Sequence, residues 1–281
     1  MFKQVKHILK FGPRAAISRI RAAVEKSRQS GHVLLLHNGR SGSTLLGNMM
    51  DQHSDVFWDG ETFEKRLHKE AASRGVGIDS LYGEFTPADL TSEIFHRMDK
   101  RSGNRIFGTE IQDYHLKMVG LELPEFLAAL RPKGFTKFIY LDRNYMRKVV
   151  SHIVATERNK FHIGTKTKLK KTGFELDPDM IYIGHRLTSL LEALQQYDDF
   201  ASDVSKALPK KDLLHLRYED DIENDPHQAA RKVCKFLDIK FHKPKVNFGK
   251  TTTRSLKEIL ENYEEIEDLI RGSSFASQMT N

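Results

Sequence analysis

The segment HVLLLHNGRSGSTLLGNMM, residues 32–50, constrains the fold of this chain more than any other stretch. An apolar run enters a turn of glycines and hydroxyls, and an apolar helical pattern leaves it. Strand, glycine turn and helix, in that order, aim backbone N–H groups at an anion. Gly39 and Gly42 permit left-handed backbone and close approach of a ligand. Ser41, Ser43 and Thr44 add hydroxyl donors, and a helix starting near Thr44 adds the positive end of its dipole. Nucleotide triphosphatases end such a turn in Gly-Lys-Ser/Thr. Here that lysine is missing, and Arg40 sits earlier in the turn instead.

Short apolar runs alternate with longer helical ones along the 281 residues, which predicts an α/β fold with a parallel sheet. Strands are expected at 32–37, 55–58, 105–110, 136–142 and 212–218, each rich in β-branched or aromatic residues. One helix follows the glycine turn, with Leu45, Leu46, Met49 and Met50 on one face and His53 at its end. Others are expected to open at Thr86-Pro87, Asp177-Pro178, Asp225-Pro226 and Ser255. For the helix from Asp177, the stripe Ile183, Leu187, Leu190, Leu194 and Tyr197 marks the buried face. Residues 160–173, with Lys166, Lys168, Lys170 and Lys171, read as a cationic loop or lid.

A net charge of +7 suits an anionic ligand, a membrane surface or nucleic acid, without choosing among them. Few aromatics interleave with the basic run, which argues against binding of single-stranded nucleic acid. One cysteine excludes an internal disulfide, and Cys234 in ARKVCKFL reads as a packed core thiol. No apolar run reaches the ~18 residues of a membrane span, and no signal-peptide core is visible. Residues 1–30 read as a basic amphipathic extension, suited either to packing on its own domain or to peripheral contact with an anionic membrane, and the expected location is cytoplasmic, with or without that contact.

Two further motifs extend the phosphate reading. In KFIYLDRNYMRKVVSHI a strand ends at Leu141-Asp142, and Arg143 follows at the carboxyl end, where open α/β sheets bind ligands. Ser151 lies eight positions on, about two helical turns along. Arg143 offers a planar fork for a second phosphate. The segment LHLRYEDDIENDP carries an aromatic and then an acidic cluster behind another strand. Two separated phosphate sites and a nearby aromatic suit a nucleotide with phosphates at both ends of its ribose.

With these residues together, the chain resembles the sulfotransferases that use 3'-phosphoadenosine 5'-phosphosulfate. Arg40, Ser41, Gly42, Ser43 and Thr44 match the family's 5'-phosphosulfate loop. Arg143 and Ser151 match its 3'-phosphate pair, and Tyr218, Glu219 and Asp220 match its Tyr-Glu-Asp element, whose tyrosine lies by the adenine. The resemblance implies a P-loop-like three-layer fold: a central parallel sheet of about five strands flanked by helices, with residues 31–281 as the catalytic domain. It implies transfer of a sulfuryl group to an acceptor hydroxyl, release of adenosine 3',5'-bisphosphate, and no metal. HSDVFWDGETF and an arginine at position 40 are similar to the carbohydrate and tyrosylprotein branches, which points to a carbohydrate or glycoconjugate acceptor. In this reading Glu61 is the catalytic base and Arg40 stabilises the leaving phosphate.

Glu110 and His115 are the rival bases, each expected at a strand end or on the surface. The pattern departs from the family at Asn144-Tyr145, where Asp-Pro is commoner, which leaves the helix start less preorganised. Lys250 and Thr251 are placed to close over the nucleotide, and residues 62–105 and 158–180 to line the acceptor pocket. No HExxH or Cys/His cluster with metal spacing occurs. Two other readings stand beside this one: a P-loop kinase or nucleotidase with Asp142 holding Mg²⁺, and a non-enzymatic basic anion-binding protein.

Overall fold

The computed structural model describes residues 31–157, 173–249 and 254–279. The expectations for the 1–30 extension, for the cationic segment up to residue 172, and for Lys250 and Thr251 lie outside the described residues. In chain order the strands are β1 (His32–His37), β2 (Val56–Glu61), β3 (Ile106–Gln112), β4 (Phe135–Asp142), β5 (Ile181–Ile183), β6 (Arg186–Thr188) and β7 (Leu213–Arg217). The helices are α1 (Ser43–Met50), α2 (Thr62–Arg74), α3 (Pro87–Arg101), α4 (Asp113–Met118), α5 (Leu123–Leu130), α6 (Tyr145–Glu157), α7 (Leu190–Ala207), α8 (Tyr218–Asp221), α9 (Pro226–Phe236), α10 (Leu256–Ile259) and α11 (Tyr263–Arg271).

Five of these strands form one parallel sheet in the order β2-β3-β1-β4-β7. The strand β1 has helix-linked partners on both sides, so its apolar side chains are covered on both faces. Leu34 and Leu36 pack with Phe63 and Leu67 of α2, Leu90 of α3, Phe126 of α5 and Phe200 of α7. The alternate residues Val33 and Leu35 pack with Leu46 and Met50 of α1 and with Val233 and Cys234 of α9. Period-2 alternation divides one strand between two cores in this way. Burial pushes the Cys234 thiol up to about 11, as suits a packed core thiol. A third core joins α6, α7 and α11 through Val149, Val150, Leu190, Leu194, Ile266 and Ile270. No helix among the described residues is long and apolar enough to cross a membrane.

The caps at Thr86, Asp225 and Ser255 form as expected, each side chain accepting a backbone N–H of its first turn. The helix expected from Asp177-Pro178 does not form there. Residues 181–188 instead make an antiparallel β5–β6 hairpin, and the helix begins after a Ser189 cap closed by Glu192. Gly184 and His185 turn the hairpin with φ of 59° and 61°, the left-handed pair of a two-residue turn matched to strand twist. Tyr82 donates to the Gly184 carbonyl at 2.6 Å, a long-range tie that no local pattern displays. Leu190, Leu194 and Tyr197 are buried on α7 as expected, whereas Leu187 is 66 % exposed on the hairpin. His53 does not end the first helix either; α1 stops at Met50, and the His53 ring meets the Lys240 carbonyl at 2.7 Å.

Candidate active site

The carboxyl ends of β1, β2, β3 and β4 open onto one cleft of about 1180 Å³. Arg40, Gly42, Ser43, Thr44, Glu61, Arg143 and Tyr218 line it, although they are spread over most of the sequence. The turn after β1 runs through left-handed backbone at Gly39 (φ 78°), Arg40 (φ 50°) and Gly42 (φ 95°). Left-handed backbone in a non-glycine residue such as Arg40 costs energy and clusters at functional sites. Gly42 caps α1 without a side chain, so no side chain covers the first-turn amides. A Cβ on Gly42 would also lie 2.8 Å from the Tyr218 ring. Gly42→Ala is therefore expected to cost about 1–3 kcal/mol, read as a lower urea midpoint in equilibrium unfolding.

The separated phosphate motifs meet at Arg40. Its Nε donates to Ser151 Oγ at 3.2 Å, and Arg143 Nη1 donates to the Arg40 carbonyl at 2.9 Å. Arg143 is 8 % exposed, with its guanidinium 4.3 Å over the Tyr218 ring. The hydroxyl of Ser41 and the Nε of Arg143 are buried without a hydrogen-bond partner among the described residues. Buried donors left in that state are costly; Arg143 lines the cleft, where a ligand would satisfy it, whereas Ser41 and Ser151 are fully buried and do not line it. Burial, then the neighbouring Arg143, lowers the Arg40 guanidinium to about 10, so it stays charged at neutral pH. His152 lies in the same cleft, pushed down to about 4 by burial and by Arg40.

The start of α6 is more ordered than the Asn144-Tyr145 departure implies. Asn144 Oδ1 accepts from the Arg147 N–H at 2.9 Å, and Glu219 accepts from the Asn144 N–H at 3.0 Å. The asparagine caps the helix that the usual aspartate would cap. Asp142, the Mg²⁺ ligand of the kinase reading, pairs instead with Lys148 at 3.3 Å. Lys148 is fully buried between the Tyr145 and Tyr197 rings, which leaves Asp142 committed to it.

Glu61 ends β2 at the N-cap position of α2, but its side chain makes no capping hydrogen bond. Its side chain is 30 % exposed, and Gln112 donates to its Oε1 at 2.9 Å. The protein around it raises its carboxyl to about 7, chiefly by desolvation, with Glu110 and Glu64 adding and His37 and Gln112 opposing. The rivals are not where they were expected. Glu110 is 3 % exposed within β3 and accepts from Trp58 Nε1 at 2.6 Å. His115 is fully buried, with Nε2 3.0 Å from Glu64. Of the three candidate bases, Glu61 alone lines the cleft.

From residues 62–105 the cleft takes only Glu64, His68 and Tyr82, because most of that segment is helix. Its wall comes instead from the β5–β6 hairpin and from Tyr114 at the start of α4. Glu64 faces His68 and His115 at 3.0 Å each and His185 at 3.6 Å. Burial works against the Glu64 charge, but His115 and His185 outweigh it and hold the carboxyl below the usual range. Reading the sequence alone missed His37, Glu64 and His152. His37 had one visible signal, a polar residue closing the apolar run HVLLLH.

The sulfotransferase family's sequence model matches residues 38–243, from the phosphate turn past the Tyr-Glu-Asp element, and the chain belongs to that family. Among solved structures it is similar to a sulfotransferase from Alicyclobacillus acidocaldarius, with 13 % identity over 89 % of this chain and 94 % of that one and a TM-score of 0.51. That likeness shows the shared fold. It is also similar to a sulfotransferase domain from the curacin biosynthetic pathway, with 18 % identity over 83 % of each chain and a TM-score of 0.44. A mouse sulfotransferase complexed with PAP aligns at 15 % identity over 80 % of this chain and 65 % of that one, with a TM-score of 0.40. No curated protein sequence gives a significant match.

Proposed function

We propose that this protein transfers a sulfuryl group from 3'-phosphoadenosine 5'-phosphosulfate to a hydroxyl of a carbohydrate or glycoconjugate. The observation that carries the donor assignment is the buried Nε of Arg143 on the cleft wall, without a partner among the described residues, beside the turn whose Arg40 carbonyl its Nη1 holds. Anionic oxygens satisfy such groups. Ser41, Ser43, Thr44 and the amides of the turn hold the 5' end; Arg143 and Ser151 hold the 3'-phosphate, and Tyr218 borders the nucleoside. When bound, the donor supplies the sulfuryl group and a phosphate able to leave with its charge.

Arg40 stabilises the charge that develops on the leaving side, a preorganised contribution of several kcal/mol in comparable sites. Glu61 takes the proton from the acceptor hydroxyl. A carboxyl at about 7 is well matched to that task at neutral pH, because it is half ionised and still a useful base. Tyr82, Tyr114 and Tyr182 share the cleft with Asp113, Gln112 and Lys117. Aromatic faces interleaved with polar groups suit a polyhydroxylated acceptor, and the buried Tyr114 hydroxyl has no partner of its own. A cleft of about 1180 Å³ leaves room for an acceptor beside the nucleotide.

The test is transfer of ³⁵S from labelled donor to a panel of mono- and oligosaccharides, phenols and tyrosine peptides, with metal chelated. Label should appear on a saccharide. The base is active when ionised, so kcat/KM should rise with pH through about 7 and then level. Labelling of phenols alone overturns the acceptor class, and absence of transfer to any acceptor without Mg²⁺ overturns the reaction.

A further inference from the structure

Behind Glu61 lies a buried chain of polar side chains outside the residues matched to the phosphate motifs. His37 closes β1 and is fully buried. Its Nδ1 accepts the backbone N–H of Gly39 at 3.0 Å. Its Nε2 lies 3.6 Å from Glu61 Oε1 and 3.5 Å from Glu110 Oε2, without an in-line hydrogen bond to either. Glu110 is fixed from its other oxygen by the Trp58 indole at 2.6 Å. Gly47 of α1 makes room for that pair, since a Cβ there would lie 2.6 Å from Glu110 Oε1.

We propose that His37 and Glu110 are positioning residues for the base: the Nε2–H of His37, oriented by the Gly39 amide, is shared between Glu110 and Glu61 and holds the Glu61 carboxylate toward the acceptor. This rests on the reading of Glu61 as the base. An imidazole whose Nδ1 accepts a hydrogen bond carries its proton on Nε2. Among the described residues that proton has two acceptors in reach, both carboxylates, and no other polar partner. The same three side chains have ligand atoms within 4.8 Å of one another, the spacing of a metal site. A metal on Nε2, however, requires the proton on Nδ1, and the Gly39 N–H occupies that nitrogen. The arrangement also ties the base to the phosphate turn, because Gly39 belongs to both.

The groups facing Glu61 are His37 from β1, Arg40 from the turn, Glu110 and Gln112 from β3, and Glu64 from α2. A hydrogen bond donated by the neutral His37 Nε2–H favours the ionised form of Glu61, and the charge of Glu110 opposes it. Removing each should therefore move the rising limb of kcat against pH in opposite directions: upward in His37→Leu and downward in Glu110→Gln. His37→Leu should lose about 10²-fold in kcat at neutral pH with little change in KM for the donor, and His37→Gln, which keeps an N–H donor, should recover part of it. Residual helical signal and adenosine 3',5'-bisphosphate binding establish that each variant is folded.

An independent readout is the ¹⁵N spectrum of the His37 ring in the wild type at pH 7.5. A bare Nδ1 with a protonated Nε2 is expected. A proton on Nδ1, in a neutral or charged ring, overturns the proposal, and a bare Nε2 that responds to added Zn²⁺ identifies a metal site instead. Limbs that stay in place in both His37→Leu and Glu110→Gln also overturn it. Should His37→Leu not fold, the near-isosteric Glu110→Gln and the ring spectrum still decide. Glu61→Gln separates the two ideas: if it keeps the limb and full kcat, the base assignment is wrong, whereas loss of the limb there with unmoved limbs in the other variants rejects the positioning role alone.

Discussion

Arg143→Ala binds adenosine 3',5'-bisphosphate roughly 10- to 150-fold more weakly than the wild type in metal-free calorimetry, the loss expected for removing a charged hydrogen-bonding group from a buried site. Arg143 is 8 % exposed, stacks on Tyr218, and has no partner for its Nε among the described residues. Its Nη1 also holds the carbonyl of Arg40, whose backbone is left-handed. On the proposed assignment, the alanine variant would lose the 3'-phosphate contact and loosen the turn proposed to hold the 5' end. Arg143→Lys should fall between the two, since it keeps the charge but not the planar fork. Wild type that binds plain 5'-AMP as tightly as the bisphosphate would remove the reason to assign a 3'-phosphate to this arginine.

Glu61→Gln should lower kcat by about 10²–10⁴-fold while leaving nucleotide affinity unchanged. The carboxamide has the size of the carboxylate and still accepts from Gln112, so geometry is preserved and the proton acceptor is lost. The nearest substitutes are poorly placed. Glu110 is buried against Trp58, and His115 is turned into the protein to meet Glu64. Full kcat in the variant would transfer the base role elsewhere, with His152 next in line because it lies in the cleft beside Arg40.

Local patterns carried much of the fold. The five strands of the main sheet and the caps at Thr86, Asp225 and Ser255 are written in apolar period and turn chemistry. The failure at Asp177-Pro178 is instructive. Ile183 and Leu187 stand at helical spacing from Leu190 and Leu194, so period alone reads them as one stripe. Gly184-His185 breaks that stripe, and the break is held by Tyr82 from more than ninety residues away. A tie of that length leaves no trace in a local window.

The order and spacing of Arg40 to Thr44, Arg143 to Ser151 and Tyr218 to Asp220 are properties of the sequence, and they sufficed to expect an α/β sulfotransferase fold with the phosphate groups at strand ends. Parallel strands make this legible, because each strand delivers its carboxyl end to the same edge of the sheet. Which carboxylate faces the cleft was decided only by tertiary structure. Glu61 and Glu110 lie opposite one another on neighbouring strands in a register broken between Trp58 and Glu61. That irregularity turns Glu61 toward the cleft and leaves Glu110 beneath it with His37 and Trp58. Sequence names the acids; strand register and burial decide which one meets the cleft, because exposure and electrostatic environment are set by neighbours far apart in the chain.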